Sequence, residues 1–185
     1  MTSTNLYFIA IVLPEDIQSD ITRIQSEFGD RFNSRKALKV MPHITLKAPF
    51  HVSVDLRQAV VEWFQSIVLD ISAFNLELLD FAAFPNPKHP VIYIPPVANP
   101  MLFALQRSIV RSFTKAFSDI ELMSLELAFM PHVTVAYRDL TPEMFNKAWP
   151  EFVNRHFNAT FVVSQINLLL HDGARWNIIQ TRNLP

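Results

Sequence analysis

The sequence predicts an α/β (α+β) protein with antiparallel or mixed strand pairing, and three observations carry this prediction. Strand-like and helix-like patterns alternate along the 185 residues. Half of the residues are apolar, which is enough to bury a substantial core as a single domain over 1–185 or as two closely packed lobes. Residues 42–46 (Pro-His-Ile-Thr-Leu) recur as 131–135 (Pro-His-Val-Thr-Val), so we expect one site built from two related halves.

In the N-terminal half the pattern predicts a strand, a helix, a motif strand and a second helix. Residues 6–13 form an apolar run of strand length. Pro14 then opens a helix, which we expect Gly29 to end. The first motif strand lies within 38–50. The second helix has Ser53 or Asp55 as its cap and a buried apolar stripe comprising Leu56, Val60, Trp63, Phe64 and Ile67.

The C-terminal half predicts two strands, a helix, the second motif strand, a fourth helix and a hairpin. The strands at 74–84 and 91–94 are joined by a proline-rich loop, and Asn99 followed by Pro100 begins the third helix. The second motif strand lies within 125–138. Thr141, followed by Pro and Glu, caps the fourth helix. The chain then closes with a hairpin of strands 161–170 and 176–179 around Asp172-Gly173.

The repeated motif carries side chains suited to acid–base chemistry. Alternation along a strand places His43 with Thr45, and His132 with Thr134, on one polar face. An imidazole titrates near neutral pH, so a pair can supply a general base and a general acid together. A threonine hydroxyl can donate to an anionic oxygen, and the same parity adds a cation to each face, Lys47 and Arg138. This inventory suits phosphoryl transfer at a phosphodiester and needs no metal.

The chain resembles the two-histidine (2H) phosphoesterase superfamily, specifically its 2'-5' RNA ligase-like branch. Residues 43–47 (His-Ile-Thr-Leu-Lys) are similar to the first family signature and 132–135 (His-Val-Thr-Val) to the second. The resemblance implies a bilobal fold with two pseudo-symmetric lobes, sheets flanked by helices, and a central cleft. It implies cleavage or formation of 2'-linked phosphodiesters, or opening of cyclic phosphates, usually without a metal or other cofactor. The Ala-Pro-Phe at 48–50 departs from the Phe-Leu-Gly that usually follows the first signature.

The expected activity is therefore that of a metal-independent cyclic phosphodiesterase or 2'-5' RNA ligase-like enzyme. His43 and His132 are the expected acid and base, in an order that the two similar motifs leave open. Thr45 and Thr134 would hold the non-bridging oxygens, with Lys47 and Arg138 stabilising charge. Phe50 and Trp176 are candidates for stacking on a nucleobase, although core packing is an alternative explanation for both.

Composition limits the class of partner. A net charge of −1 argues against binding along duplex nucleic acid, and favours a nucleotide cyclic phosphate or an RNA end. The basic cluster of Arg31, Arg35, Lys36 and Lys39 is either a solvated helix end or an RNA contact. No cysteine is present, which is compatible with a reducing cytoplasm. The apolar run at 6–13 is too short to span a membrane.

Two alternatives from other classes remain. The fold could be a catalytically quiet binding module for a nucleotide or RNA end, in which case a ligand binds without turnover. The two histidines could instead hold a metal in a hydrolase, although neither motif carries a further ligand at a useful spacing. For His51, His89, His156 and His171 a surface or turn role is expected.

Overall fold

The computed structural model describes residues 3–185, apart from the side chain of Leu125. It contains nine strands and five helices within those residues, and all of its strand pairs are antiparallel. The strands are β1 (Thr4–Val12), β2 (His43–Ser53), β3 (Phe74–Leu79), β4 (Ala82–Phe84), β5 (Val91–Ile94), β6 (Val133–Ala136), β7 (Asn158–Val163), β8 (Gln165–His171) and β9 (Trp176–Asn183). The helices are α1 (Glu15–Phe32), α2 (Arg57–Ser66), α3 (Pro100–Ala116), α4 (Ser124–Leu127) and α5 (Pro142–Phe152).

The two motif strands are neighbours at the centre of a seven-stranded sheet, whose order is β4-β5-β6-β2-β1-β8-β9. The second sheet pairs β3 with β7. The predicted α+β class with antiparallel pairing is confirmed. Because β2 and β6 meet in mid-sheet, the two copies of the motif come together although they lie far apart in sequence.

The apolar core lies between the sheet and the long helices. Alternate residues of β1, Tyr7, Ile9 and Ile11, join one cluster with the buried faces of α1, α2, α3 and α5. The intervening residues Phe8 and Ala10 point to the opposite face, where they form a small second cluster. Burial of apolar area on the first face is the main stabilising contribution, at about 25 cal/mol per Å². The helices therefore cover one face of the sheet and leave the other available for a site.

Two predicted helix starts are confirmed. The side chain of Asn99 accepts hydrogen bonds from the backbone N–H groups of Met101 and Leu102 at the start of α3. Thr141 accepts one from the Met144 N–H at the start of α5. In both helices a proline occupies the first helical position, where its missing N–H has no intrahelical partner to lose.

Several predicted boundaries are wrong, each for a local reason. Gly29 does not end α1, because the helix continues past it to Phe32 and ends at Asn33, whose φ is 54°. The predicted strand at 74–84 divides into β3 and β4 at Asp80, which has φ 53°. The predicted strand at 161–170 is interrupted at Ser164, because β7 pairs with β3 in the small sheet whereas β8 belongs to the large one.

Two further predictions about local structure are wrong. Leu56 lies in a 3-10 turn before α2 and is exposed, whereas the rest of the predicted stripe is buried. The β-like run at 125–138 is a strand only over Val133–Ala136, because Ser124–Leu127 forms α4. Among residues 3–185, no helix is long and apolar enough to cross a membrane.

Candidate active site

The two motif histidines have the same orientation, fixed by the backbone. His43 Nδ1 lies 2.7 Å from the Met41 carbonyl oxygen, and His132 Nδ1 lies 2.7 Å from that of Met130. A carbonyl oxygen only accepts, so each Nδ1 carries the hydrogen and donates it. Each Nε2 is consequently the nitrogen left for a reacting group. In its neutral form it is a base, and in its protonated form it is an acid.

The strands place both rings on the same side of the sheet. Ile44 of β2 and Val133 of β6 are paired across the strands and are fully buried on the helical side. Since side chains alternate along a strand, the flanking histidines and threonines point to the other side. The predicted sharing of a face by His43 with Thr45, and by His132 with Thr134, is thus what the burial pattern shows.

These four side chains line one cleft of about 510 Å³. Its walls combine aromatic and basic groups with the motif residues. The lining includes Phe8, Gln25, Met41, His43, Thr45, Pro49, His132, Thr134, Tyr137, Arg138, His171 and Trp176. The cleft therefore has an acid–base pair, two hydroxyl groups and a guanidinium group at one concave surface.

Burial lowers the pKa of both histidines from the ordinary value. For His43 the removal from water is the largest cause; the hydrogen bond to Met41 opposes it, and the charge of His132 lowers the pKa further. For His132 burial again dominates and the bond to Met130 opposes it. Both rings line the same cleft, so a charge on one acts on the other.

A second cavity of about 540 Å³ adjoins the first on the side of His132. Thr45 and His132 line both cavities. Apart from them the lining of the second cavity is mainly apolar, and it comprises Leu46, Ala48, Phe84, Gln106, Ser124, Glu126, Ala128, Phe129 and Met130. The two cavities thus meet at a histidine and a threonine that belong to different copies of the motif.

Of the predicted substrate-binding residues, Arg138 lines the cleft. It follows the end of β6 in a left-handed conformation with φ 58°, and its Cζ lies 5.2 Å from the centroid of the Tyr137 ring. The side chain is exposed at the rim. Its predicted role in charge stabilisation stays a prediction.

Lys47 does not share the face of His43 and Thr45, and the parity prediction is wrong at this residue. Two register shifts separate its pairing with Ile9 from the neighbouring pairs of β1 and β2. A bulge of this kind inserts an extra residue and re-aims the side chains beyond it. The side chain is 1% exposed and its Nζ lies 2.8 Å from Glu126 Oε1. Burial lowers its pKa, and the Glu126 carboxylate opposes that effect.

Phe50 also lies away from the cleft. It is 2% exposed and packs against other core aromatics, with its ring centroid 5.8 Å from that of Tyr7 and 4.8 Å from that of Phe113. The core-packing alternative therefore describes its position, and the stacking prediction is wrong in placement. Trp176 is the stacking candidate that the cleft does contain.

The sequence analysis missed Phe8 and His171 as cleft residues. Phe8 lies 5.0 Å from His43 and 4.5 Å from Trp176 between ring centroids. Its apolar run gave no alternation that would indicate a polar face. His171 packs 5.0 Å from Trp176 and its Nδ1 accepts the Gly173 N–H. It reaches the cleft because β8 pairs with β1, opposite Leu6.

The other histidines and the basic cluster lie elsewhere. His51 is exposed and bonds to the Thr4 hydroxyl, and His156 is exposed beside Asp80. Arg31 forms ion pairs with Glu27 and Glu151, and Arg35 pairs with Asp30. Within residues 3–185, no three His, Cys, Asp or Glu side chains are grouped so that they could hold a metal ion.

Comparison with known proteins shows which family the chain resembles. The model of the 2'-5' RNA ligase superfamily matches residues 13–175. A provisionally named phosphoesterase of Bacillus licheniformis is 27% identical over 85% of this chain and 88% of its own length. A similar protein of Bacillus cytotoxicus is 31% identical over 83% and 84%.

Solved structures agree on the fold. A crystal structure of Escherichia coli LigT complexed with 3'-AMP has a TM-score of 0.71 at 19% identity, covering 98% of this chain and 99% of that one. A Thermus thermophilus protein has a TM-score of 0.68 at 16% identity, covering 97% of each. These likenesses extend over nearly the whole of each chain.

Proposed function

The chain belongs to the 2'-5' RNA ligase superfamily of two-histidine phosphoesterases, and from this premise we propose that it is a metal-independent phosphodiesterase. The proposed substrate is a 2',3'-cyclic phosphate or a 2'-5' linkage of a nucleotide or an RNA end. One observation carries the proposal. Two imidazoles whose Nδ1 atoms are both held by backbone carbonyls line the same cleft, together with both motif threonines.

The proposed reaction uses one histidine as base and the other as acid. In hydrolysis, the neutral Nε2 removes a proton from water, and the water oxygen bonds to phosphorus. The bond from phosphorus to the leaving ribose oxygen breaks, and that oxygen takes the proton from the other histidine's Nε2. In the ligation direction a 2'-hydroxyl replaces water. Because the same locked tautomer occurs at both rings, either histidine is chemically equipped for either step.

The remaining cleft groups act on the charge of the phosphoryl group. Thr45 and Thr134 donate their hydroxyl hydrogens to the non-bridging oxygens, where negative charge concentrates in the transition state. Arg138 at the rim adds a positive charge that attracts the anion. The two threonines already line the cleft before a substrate binds, and donors that are in place in advance lower the barrier.

The two adjoining cavities favour a diester over a terminal phosphate. A phosphorus atom placed between Thr45 and His132 has a cavity on each side, and a diester carries an organic group on each side. The crystal structures of E. coli LigT with 3'-AMP and with ATP support a nucleotide as one of those groups. In the first cavity the half-buried Trp176 offers an aromatic face for a base, with the buried Phe8 packed against it.

The test is turnover of 2',3'-cyclic nucleotides and 2'-5'-linked dinucleotides in the presence of a strong chelator, with identification of the phosphate position in the product. Wild type is compared with His43→Ala and His132→Ala. His51→Ala is the matched control, because this histidine lies on β2 but outside the cleft. We expect chelator-resistant turnover that both motif variants lose and the control keeps. Loss of activity in chelator would favour the metal-hydrolase alternative.

A binding module of the same fold is the second candidate. It predicts that a nucleotide binds, as measured by calorimetry, while no substrate on the panel turns over. The half-buried, pKa-shifted imidazole pair favours the enzyme, because perturbed titratable groups in a cleft are typical of catalytic sites.

A further inference from the structure

Two carboxylates tie the two halves of the cleft together outside the strand pairing. Glu126, six residues before His132, reaches the strand that follows His43. Its Oε1 lies 2.8 Å from Lys47 Nζ and accepts the Ala48 N–H at 3.2 Å, and its Oε2 accepts the Met123 N–H at 2.8 Å. We name these contacts the Glu126 clamp.

Asp139 makes the reciprocal connection. It lies seven residues after His132 and reaches the segment that precedes His43. Its Oδ1 accepts the Ser34 hydroxyl at 2.9 Å, and its Oδ2 accepts the N–H groups of Arg35 at 2.9 Å and Lys36 at 3.0 Å. We name these contacts the Asp139 clamp. Each clamp joins the segment before one motif to the segment after the other.

The strands themselves give little control over the spacing of the histidines. In the described part of the chain, β2 and β6 share one ladder pair, Ile44 with Val133. The strands are antiparallel, so residues after Ile44 lie opposite residues before Val133. The Glu126 clamp is therefore on one side of this pair, and the Asp139 clamp is on the other.

We propose that Glu126 and Asp139 are positioning residues that fix the two imidazole Nε2 atoms relative to each other for the reaction. This inference rests on the proposed function for its kinetic consequence. The Met130 carbonyl that orients His132 lies four residues after Glu126, and the segment that leads to Met41 and His43 begins at the Asp139 clamp. A shift of either segment moves one ring against the other.

Stability alone gives no reason for a buried ion pair at this place. The side chains of Lys47 and Glu126 are 1% and 2% exposed. Removing two charges from water is costly, and an apolar pair of similar volume is often as stable or more so. What an apolar pair lacks is the ability to hold the Ala48 and Met123 N–H groups. The carboxylate therefore contributes a fixed geometry that packing alone does not provide.

The first experiment separates position from stability at the Glu126 clamp. Glu126→Leu alone leaves a buried charge on Lys47, and we expect it to lower Tm by roughly 10 °C. The double variant Lys47→Met with Glu126→Leu removes both charges and is expected to regain most of that loss. We nevertheless expect its kcat to stay about 10–100-fold below wild type, since a misplacement near 1 Å costs on that order, while KM changes little.

The second experiment uses a conservative pair at the Asp139 clamp. Asp139→Asn can turn its oxygen to the two backbone N–H groups and its NH₂ to the Ser34 hydroxyl oxygen, so kcat should remain within about twofold of wild type. Asp139→Ala removes all three contacts and should lower kcat by about tenfold or more. The control is Asp80→Gly, which removes the carboxylate contacts to the Phe157 N–H and to His156 outside the cleft lining and tolerates the positive φ.

A measurement without substrate keeps the inference distinct from the proposed function. The ring nitrogens of His43 and His132 are titrated by NMR in wild type and in each variant. Where a clamp is lost, water enters and the rings separate, so the pKa of His43 should rise towards its ordinary value; Asp80→Gly should leave it unchanged.

The outcomes are decisive in either direction. If the double variant recovers kcat together with Tm, or if Asp139→Ala keeps the kcat and the titration of wild type, the clamps are structural only and the inference is overturned. If wild type turns over nothing on the substrate panel, the proposed function fails, and the titrations alone then decide whether the clamps hold the histidines.

Discussion

The His43 half and the His132 half of the cleft have the same motif and the same ring orientation, but they lie in different surroundings. His43 belongs to an 11-residue strand and contacts Phe8, whereas His132 precedes a four-residue strand and contacts Phe84 and Tyr93. Of the two rings, His43 lines only the aromatic and basic cavity, whereas His132 also borders the mainly apolar one. A repeated local sequence thus reproduces a tautomer without reproducing an environment.

The clamps show the same contrast. Both clamps hold two backbone N–H groups, but the Glu126 clamp adds a buried ion pair with Lys47, whereas the Asp139 clamp adds the Ser34 hydroxyl. Both connect one motif to the other across the strand pair. Two sets of contacts with different chemistry therefore serve the same purpose, which is to connect the two motifs.

The largest expected effect tests whether the two halves are equivalent in catalysis. His43→Ala and His132→Ala should each lower kcat by about two to four orders of magnitude, the usual scale of general acid or base assistance. The variant with both substitutions should have a kcat only slightly below that of the less active single variant, because the effects of residues that act as a unit are not additive. Steady-state kinetics on the cyclic nucleotide, with circular dichroism to check folding, measures this. Near-full activity in either single variant would remove that histidine from the mechanism.

The next effect compares the two threonines. Thr45→Val and Thr134→Val keep the shape of the side chain and remove the hydroxyl donor, so each should lower kcat by about 10²–10³ if the donor stabilises the transition state. Thr→Ser at each position keeps the hydroxyl and is the matched control. Thr45 borders both cavities and Thr134 one of them. Equal losses at the two sites would show that phosphate contact, and not cavity position, sets their role.

A smaller effect compares the two cavities. Trp176→Ala removes an aromatic face from the first cavity and should raise KM for a mononucleotide roughly tenfold, a typical value for loss of one stacked base. Phe129→Ala alters only the second cavity, and it should raise KM for a dinucleotide while leaving that for a mononucleotide unchanged. Initial rates of both variants on both substrates give the four KM values. A Trp176 variant with unchanged KM would mean that the base lies elsewhere.

The pH dependence follows from the shared direction of the pKa shifts. Burial disfavours the charged imidazole, so both histidines lose their protons at lower pH than usual. A mechanism with one neutral and one protonated ring then predicts that kcat/KM is maximal on the acid side of the ordinary histidine pKa and falls as pH rises further. A pH–rate profile checks this. An optimum at alkaline pH would contradict it.

The same pKa shifts determine the direction in which the free energy of unfolding changes with pH. In the unfolded chain the histidines bind protons at higher pH than in the folded one. The free energy of unfolding should therefore decrease as pH falls from the ordinary histidine pKa through the lowered, folded values. His43→Asn should flatten this decrease in urea unfolding curves recorded across that pH range. An unchanged slope in His43→Asn would show that this ring is not buried in its neutral form.

The smallest effect is the coupling between the rings. The charge of His132 contributes to lowering the pKa of His43, so His132→Ala should raise the pKa of His43 slightly. NMR titration of the remaining ring measures the change. No change would mean that His132 carries no charge that acts on His43 over the pH range in which His43 titrates.

Much of the local structure was predictable because its causes are local. Asn99 and Thr141 with their following prolines indicated two helix starts, and the hairpin at Asp172-Gly173 was evident from its turn residues. The end of α1 was not predictable from Gly29, because the packing of its buried face carries the helix further. The prediction for Lys47 was wrong because a bulge depends on the neighbouring strand, which the alternation of one strand does not reveal.

By itself the sequence determined the motif pair, the resemblance to the family that this pair carries, and the polar face of each motif strand, because a motif is residue order and a face follows from the period of a strand. Only the tertiary structure decided which residues meet at the cleft. It brought His171 and Trp176 beside Phe8, withdrew Phe50 and Lys47 into the core, and joined the motifs through Glu126 and Asp139. The physical reason is that sheet register and long-range hydrogen bonds are contacts between distant segments, and no single segment encodes them.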